Sequence, residues 1–353
     1  MEPANTILLQ RKDVARLLSI EECMDAVEQA FCLHAEGKAL PPKVLGIQST
    51  FGGFHIKTGI MDLSRSYFVA KINANFPGNP KQNGLPTIQG VIIVCDANDG
   101  RLLALMDSIE ITILRTGAAT GVAAKYLSCR YNNIVTICGC GNQGRISLKA
   151  LMKVRELKRV YAFDLDETQS AKLKKEFELE VEIVIVNFDE LPRSLKQSQI
   201  VITCTTSKQP FIRLEDIGPG TFIAAVGADS EDKQELCAGL TASAKLVADI
   251  AEQSATIGEM HHAIKHGLAT VSDVYAELGV IVSGKKTGRE SEKEIIIFDS
   301  TGTALQDVAA AAIVYEKAIE KGMGTILNFS DTGGNSQNFH TDLKALRSWF
   351  PFR

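Results

Sequence analysis

No hydrophobic run in this sequence reaches the roughly 18 to 20 residues that a membrane-spanning helix needs. Residues 1–13 have no hydrophobic core of the kind that a signal peptide carries. Lysine and arginine form no long cluster, and the formal net charge is −4, so the positive patch typical of a nucleic-acid-binding protein is missing. We therefore expect a cytoplasmic protein that binds neither membranes nor nucleic acid.

The sequence also has no CxxC pair, although it contains eight cysteines. Most of them lie in apolar segments, which favours buried reduced thiols over a metal or redox site. Cys138 and Cys140 flank one glycine at the end of a predicted strand, a spacing that suits neither role. His262 and His266 could share a helix face, but no HExxH pattern surrounds them, and a solvated helix end is expected there. We expect no bound metal.

Length and hydrophobic periodicity indicate two domains. A chain of 353 residues can bury two cores, which places a site in the cleft between them. Residues 19–37 predict a helix that Ser19 and Glu22 cap. Residues 44–107 contain strand-like runs with polar turns and predict an antiparallel sheet. Residues 110–127 predict a helix rich in small side chains.

From residue 133 onward, short apolar strands alternate with helices. This alternation is typical of a parallel, doubly wound sheet with helices on both faces, and it predicts an α/β fold. A helix at residues 303–321 follows the last strand, and we expect it to pack back against the first domain. Residues 328–338 are polar and predict a loop.

A GxGxxG motif lies between a predicted strand and a predicted helix, which is the context that makes this short motif informative. Gly139 allows a tight turn, Gly141 lets the backbone approach a pyrophosphate, and Gly144 lets the helix lie close to the strand. Asn142 and Gln143 begin the helix, where the backbone amides face the phosphates. The motif predicts a dinucleotide site.

Asp164 closes the second strand of this domain, 20 residues after the last glycine of the motif. An acidic side chain at that distance accepts hydrogen bonds from the adenine ribose and repels a 2′-phosphate. NAD(H) is therefore the expected cofactor, with NADP(H) as the alternative. FAD is a weaker candidate, because flavoproteins tend to carry this motif at the N-terminus. A glycine-rich turn with a helix-capping aspartate is the remaining interpretation.

Longer stretches of the sequence share their pattern with one known family. They are PPKV (41–44), KINANFPGNP (71–80), GLPTIQGVI (84–92), LRTGAATGVAAKYL (114–127), ICGCGNQG (137–144), VGADSEDKQEL (226–236), GRES (288–291) and FDSTGTALQDV (298–308). Through them the sequence resembles the ornithine cyclodeaminase/μ-crystallin family over residues 7–325. That family includes cyclodeaminases, an archaeal type of alanine dehydrogenase and ketimine reductases.

The resemblance implies a Rossmann domain carried on an α+β substrate domain that is built from both chain ends. For this chain it implies a substrate-binding and dimerisation domain of residues 1–128 and 305–353, and an NAD-binding domain of residues 129–304. Family members are typically homodimers whose substrate-domain sheets pair. A homodimer is therefore expected.

The resemblance also implies the roles of three charged residues. Lys71 lies at the position of the family's active-site lysine, Arg115 at that of the arginine that binds the substrate carboxylate, and Asp229 at that of the acid/base aspartate. A guanidinium group matches a carboxylate with two parallel hydrogen bonds and so orients the α-carbon. Lys71 can donate to the substrate and favour an anion.

Hydroxyl groups at two further strand ends are candidate cofactor contacts. Thr205 and Thr206 are expected to touch the dinucleotide, and Ser300 and Thr301 are expected near the nicotinamide. The same hydroxyls could instead cap the turns that follow these strands.

His55 is a departure from the cyclodeaminase pattern, in which a glutamate at the aligned position helps to bind the distal amine or to move protons. An imidazole is a poorer partner for an ammonium group, so the expected reaction is reduction of a cyclic 2-imino acid, such as Δ1-pyrroline-2-carboxylate to proline. His55 is then expected near the substrate ring. The alternatives are an ammonia-releasing ornithine cyclodeaminase, an alanine dehydrogenase, and a μ-crystallin-like binding protein without enzymatic activity.

Overall fold

The computed structural model describes residues 5–130 and 133–328. Its strands, in chain order, are β1 (Thr6–Leu9), β2 (Lys43–Ser49), β3 (Gly52–Asp62), β4 (Ser66–Asn75), β5 (Ile88–Asp96), β6 (Leu102–Asp107), β7 (Asn133–Cys138), β8 (Leu157–Phe163), β9 (Glu182–Ile185), β10 (Ile200–Thr203), β11 (Phe222–Ala225), β12 (Lys245–Ala248), β13 (Ala276–Glu277), β14 (Ile296–Asp299) and β15 (Thr325–Leu327).

The α-helices, in chain order, are α1 (Arg11–Leu17), α2 (Ile20–Ala35), α3 (Asn79–Gln82), α4 (Ile109–Leu127), α5 (Asn142–Val154), α6 (Glu167–Phe177), α7 (Leu191–Gln197), α8 (Ala238–Ser243), α9 (Ala251–Ile257), α10 (Glu259–Lys265), α11 (Leu278–Val282) and α12 (Ala304–Lys321). None of the helices in the two described ranges is long and apolar enough to cross a membrane.

The first sheet has the strand order β15-β1-β6-β5-β4-β3-β2. The run from β2 to β6 is antiparallel, as the sequence predicted. The sequence did not predict the other two strands: β1 pairs with β6 in parallel, and β15 pairs with β1 in antiparallel. The sheet therefore joins segments from both ends of the described chain.

The second sheet has the strand order β13-β12-β14-β11-β10-β7-β8-β9, and every pair in it is parallel. The chain leaves the central strand β7 first toward β8 and β9, and later returns on the other side of β7 to form β10. Such a reversal opens a crevice at the carboxyl ends of the two central strands, where this kind of sheet binds ligands. The predicted α/β fold class is confirmed.

Helix α12 connects the two sheets. It begins directly after β14, the last strand of the second sheet, and packs against α2, β3 and β4. The sequence predicted this return to the first sheet. Helix α2 begins after Ser19, which forms the predicted capping box with Glu22. The loop predicted at residues 328–338 lies, apart from residue 328, outside the described residues.

The two faces of the first sheet differ in burial. On β3 and β4, alternate residues such as Lys57, Val69 and Lys71 are buried on the face that carries α12, which we call the inner face. The residues between them, including Ile56 and Ile72, are only partly buried on the outer face. This alternation follows from the period of two along a strand.

Two side-chain expectations have different outcomes. Cys138 and Cys140 are buried free thiols, as expected. The prediction that His262 lies at a solvated helix end is wrong, because His262 is buried and its Nε2 lies 2.8 Å from the backbone oxygen of Lys233. His266 does lie exposed at the end of α10.

Candidate active site

A cavity of about 220 Å³ lies between the inner face of the first sheet and the carboxyl ends of β7, β10, β11 and β14, and α4 also contributes to its wall. Many of the residues predicted from the sequence line it: His55, Lys71, Arg115, Gln143, Thr205, Thr206, Asp229, Ser300 and Thr301. The remaining predicted residues belong to the glycine turn beside Gln143 and to the end of β8, and they do not line this cavity: Gly139, Gly141, Asn142, Gly144 and Asp164.

The glycine turn has the geometry that each glycine was predicted to permit. Gly139 adopts a φ of 97°, which is the left-handed region that side chains disfavour. A Cβ atom at Gly144 would overlap the carbonyl oxygen of Gly139, so only glycine allows α5 to approach β7 this closely. A Cβ atom at Gly141 would meet nothing within 4 Å. The turn therefore leaves open space at the N-terminus of α5.

These features fit a dinucleotide. The backbone amides at the start of α5 have no helical partners and can bind phosphate oxygens. Gln143, which lines the cavity, has a buried Oε1 atom with no hydrogen-bond partner among the described residues, so this oxygen is free to accept a hydrogen bond from a ligand. Asp164 Oδ2 accepts a hydrogen bond from the backbone N–H of Cys140 at 2.7 Å, which ties the end of β8 to the turn. The carboxylate is thus held beside the turn, where a ribose is expected.

Two buried carboxylates hold the loops on the other side of the cofactor crevice. Glu235 accepts hydrogen bonds from the backbone N–H groups of Thr205 at 2.6 Å and Gly227 at 3.0 Å. Asp249 accepts from the Thr301 hydroxyl at 2.9 Å and from the Gly302 N–H at 2.7 Å. Burial raises the pKa of both carboxyl groups. Sequence reasoning named the loops but missed the carboxylates that position them.

Lys71 lies on β4 with its side chain on the inner face of the first sheet. Its Nζ donates to Asp307 Oδ1 at 2.8 Å, and only 2% of the residue is exposed. Burial is the main cause that lowers the pKa of Lys71 to about 7; Asp307 opposes it, and the cations of Arg115 and Lys57 add smaller contributions in the same direction as burial. At neutral pH this amine can therefore both give and take a proton.

Arg115 lies on α4 and points at the same carboxylate. Its Nη1 donates to Gln306 Oε1 at 2.8 Å, and its Nε lies 3.3 Å from Asp307 Oδ1. A Cβ atom at residue 302 would collide with the guanidinium, so Gly302 makes room for it. Burial raises the pKa of Asp307, but Lys71 and Arg115 outweigh burial and hold it below its usual value. One carboxylate thus serves two cations.

Asp229 and His55 form the more open side of the cavity. Asp229 follows β11, its side chain is 52% exposed, and Oδ1 accepts a hydrogen bond from Lys233 Nζ. The surrounding protein tends to raise the pKa of the half-exposed Asp229, but Lys233, Lys57 and His55 together outweigh this and lower the pKa overall. Burial lowers the pKa of His55, while Asp229 opposes this shift. His55 is therefore more often neutral than a free histidine.

Three further residues of this site were missed in the sequence: Lys57, Gln306 and Asp307. Lys57 stands two residues after His55 on a strand, which places both on one face. Gln306 and Asp307 are polar residues in the first turns of a helix that is otherwise rich in alanine and valine. The spacing of Lys57 and the polar character of Gln306 and Asp307 can be seen in the sequence. The sequence around these residues does not show which distant side chains they contact.

Comparisons with known proteins agree with this architecture. A model of the ornithine cyclodeaminase/mu-crystallin family matches residues 4–322. Alanine dehydrogenase from Archaeoglobus fulgidus is 39% identical over 326 residues, which are 92% of this chain and 98% of that protein. An archaeal alanine dehydrogenase dimer with bound NAD has a TM-score of 0.87 at 37% identity and covers 92% of this chain and 99% of its own. Thermococcus litoralis Δ1-pyrroline-2-carboxylate reductase, solved in complex with NADH and L-proline, has a TM-score of 0.85 at 33% identity, with 91% and 99% coverage.

Proposed function

This chain belongs to the ornithine cyclodeaminase/mu-crystallin family and is an oxidoreductase, and we propose that it reduces the C=N bond of a cyclic 2-imino acid with NADH. The proposed substrate is Δ1-pyrroline-2-carboxylate or its six-membered homologue. The observation that carries this proposal is the buried cluster of Lys71, Arg115 and Asp307, which offers a carboxylate-binding fork beside an amine that titrates near neutral pH.

Each side chain has a role that follows from its surroundings. Arg115 binds the substrate carboxylate, because Gln306 and Asp307 already fix the plane of its guanidinium group. Lys71 gives a proton toward the imine nitrogen, since its pKa of about 7 lets it hold a proton at neutral pH and release it readily. Asp229 lies at the open side and can exchange that proton with solvent. NADH, when bound, supplies the hydride for the imine carbon.

The charge of the cavity argues against a cyclodeaminase. Such an enzyme must hold the distal ammonium of a diamine, for which a free carboxylate is the natural partner. Among the described residues that line the cavity, Asp229 is the one carboxylate, and Lys233 already pairs with it. His55 and Lys57 occupy the inner face of β3. A substrate whose ring is already closed has no distal ammonium group, so it needs no free carboxylate and fits the charges of this cavity better.

Alanine dehydrogenase activity is the second candidate, and the 39% identity to the Archaeoglobus fulgidus enzyme favours it. That reaction would use the same carboxylate fork and the same proton donor on an open-chain 2-imino acid. The two candidates differ in whether ammonia must enter the site with the substrate. Substrate preference therefore decides between them.

A panel of assays tests the proposal. Purified protein is incubated with NADH and, separately, Δ1-pyrroline-2-carboxylate, Δ1-piperideine-2-carboxylate, or pyruvate with ammonia, and in parallel with ornithine and NAD⁺. We expect the highest kcat/KM with a cyclic imine and little ammonia from ornithine. A Lys71→Met variant shows whether the activity belongs to this site. Faster turnover of pyruvate with ammonia, or of ornithine, would replace the proposed function with the corresponding alternative.

The same family membership supports a proposal for the cofactor preference and the assembly. Asp164, held beside the glycine turn, supports NADH over NADPH, because its charge repels a 2′-phosphate. We take residues 1–128 with 305–353 as the substrate domain and residues 129–304 as the NAD-binding domain. The archaeal alanine dehydrogenase is a dimer, and a homodimer is proposed here as well.

The outer face of the first sheet is the proposed dimer surface. It presents partly buried or exposed apolar side chains on neighbouring strands: Leu45 and Ile47 on β2, Phe54 and Ile56 on β3, Ile72 on β4, and Val91 and Ile93 on β5. An antiparallel sheet that faces water normally carries polar side chains on that face. A contiguous apolar face of this kind typically packs against another protein surface.

A further inference from the structure

A second buried lysine lies next to Lys71. Lys57 on β3 is the register partner of Lys71 on β4, so the two side chains leave the sheet side by side on the inner face. The two residues are 8% and 2% exposed, and both line the cavity. Two lysine side chains thus share one cavity, with little water to screen their charges.

The head group of Lys57 is fixed by backbone oxygens from the other sheet. Its Nζ donates to the carbonyl oxygens of Thr301 at 3.1 Å and Gly302 at 2.5 Å. Asp249 holds the same turn through the Thr301 hydroxyl and the Gly302 N–H. Within residues 5–130 and 133–328, no carboxylate forms an ion pair with Lys57 within 4.0 Å. The positive charge of Lys57 is therefore held in position by neutral carbonyl oxygens and not by a direct ion pair.

We propose that Lys57 shifts the protonation equilibrium of Lys71 toward the neutral amine by holding a fixed positive charge beside it. The inference rests on the proposed role of Lys71 as the proton donor. Lys57 is then a positioning residue that acts on the reaction through Lys71, not a group that touches the substrate nitrogen.

The charges around the pair explain why Lys71 is the lysine that yields its proton. Lys71 faces Lys57 on β3, Arg115 on α4 and Asp307 on α12, and it must share Asp307 with Arg115. Burial lowers the pKa of Lys57 as well, and Arg115 adds to this, but Asp229, Asp307 and Asp249 all oppose the shift. The carbonyl oxygens of the 301–302 turn also favour the charged form of Lys57.

The direct test is to titrate Lys71 in the resting enzyme. Protein labelled with ¹³C at the lysine ε-carbons is followed by NMR across pH, and a Lys71→Met sample identifies the Lys71 signal. In Lys57→Met, which removes the charge but keeps an apolar stem of similar length, we expect the Lys71 midpoint to rise by about one unit or more. Lys57→Arg keeps the charge and is expected to leave the midpoint near its starting value.

The pH dependence of kcat gives a second measurement, for which the proposal predicts the direction of the change. Imine reduction needs a proton on Lys71, so kcat is expected to fall as pH rises through about 7 in the unmodified enzyme. In Lys57→Met this fall is expected to move to higher pH by the same amount as the NMR midpoint. If no cyclic imine is turned over, the proposed function fails while the NMR titration still decides the role of Lys57.

Two results would overturn the inference. One is an unchanged Lys71 midpoint in Lys57→Met, and the other is an equal shift in Lys57→Arg, which would assign the effect to packing. Lys57→Gln carries the same expectation as Lys57→Met, so the test does not depend on one variant folding well.

Discussion

At the scale of single residues, Asp307 organises the candidate site. It is fully buried and contacts both Lys71 and Arg115, two cations that would otherwise be buried without a counter-ion. Breaking a buried ion pair by removing one partner commonly costs about 3 to 5 kcal/mol. The site therefore reaches the substrate with its charges already ordered, and a carboxylate that arrives at Arg115 neutralises the remaining positive charge.

Arg115→Lys tests the carboxylate fork. Lysine keeps the charge but cannot make two parallel hydrogen bonds, so we expect KM for the imino acid to rise by about tenfold or more. Affinity for NADH, measured by fluorescence quenching, is expected to stay the same. Arg145→Lys is the matched control, because Arg145 lies on α5 and pairs with Glu176 at the surface. An unchanged KM in Arg115→Lys would remove Arg115 from the substrate site.

Asp164→Asn tests the cofactor preference. Asparagine keeps an oxygen that can accept the Cys140 N–H but loses the charge that repels a 2′-phosphate. We expect the ratio of kcat/KM for NADH over NADPH to fall by about tenfold, which corresponds to about 1.4 kcal/mol. Asp273→Asn, at an exposed turn, is the control for the loss of one carboxylate. A ratio that does not change would exclude Asp164 from the ribose site.

How much of the site was predictable depends on where each signal lies in the chain. Lys71, Arg115 and Asp229 were identified from short stretches that resemble a family, and His55 was identified because it departs from the cyclodeaminase pattern. All four line one cavity. The Lys71–Asp307 contact joins residues 236 positions apart, and the contact from Lys57 to Thr301 joins residues 244 apart. Pairings across such distances are set by the tertiary fold, and no local pattern encodes them.

At the scale of elements, two glycines in the turn from β7 to α5 have different predicted roles, one in stability and the other in cofactor binding. Gly144→Ala would place a methyl group against the carbonyl oxygen of Gly139 and force α5 away from β7. Gly141→Ala would place the same group in open space, and the φ of −71° at Gly141 suits an L-residue. The same substitution therefore has different physical consequences three residues apart.

The expected outcome is a contrast between these two variants. Gly144→Ala should lower the melting temperature by several degrees, consistent with strain of about 1 to 3 kcal/mol. Gly141→Ala should melt close to the unmodified protein but bind NADH at least tenfold more weakly, because its methyl group occupies the space expected for the pyrophosphate. Thermal unfolding with and without NADH measures both effects. Equal NADH affinity in Gly141→Ala would place the pyrophosphate elsewhere.

The sequence predicted those helices and strands that are long enough for their hydrophobic periodicity to be recognised. The strands β2 to β6 and the helices α2, α4 and α12 are long, and their patterns of two or 3.6 residues are clear. The strands β1 and β15 have four and three residues and pair with each other from opposite ends of the described chain. So few residues give no usable period, and only the folded chain brings the two strands together.

At the scale of the whole molecule, the apolar outer face of the first sheet predicts a dimer that one charge can disrupt. Ile56→Lys would bury an ammonium group between two such faces without a partner, and we expect a monomer by sedimentation velocity. Ile319→Lys is the matched control, because Ile319 lies on α12 and is 55% exposed. Circular dichroism checks that both variants fold. A stable dimer of Ile56→Lys would exclude this face as the interface.

The return of α12 to the first sheet also sets an order of events during translation. A ribosome that has passed β14 has synthesised every strand of the parallel second sheet, while the first sheet still lacks its last strand β15 and the helix α12 that packs on it. Lys71 meets its counter-ion only after 236 further residues have been synthesised. At roughly 5 to 20 residues per second, that wait lasts on the order of tens of seconds. Until then Lys71 lacks its counter-ion, and the inner face of β3 and β4 lacks the helix that covers it. The candidate site is therefore completed only after the parallel sheet has been synthesised.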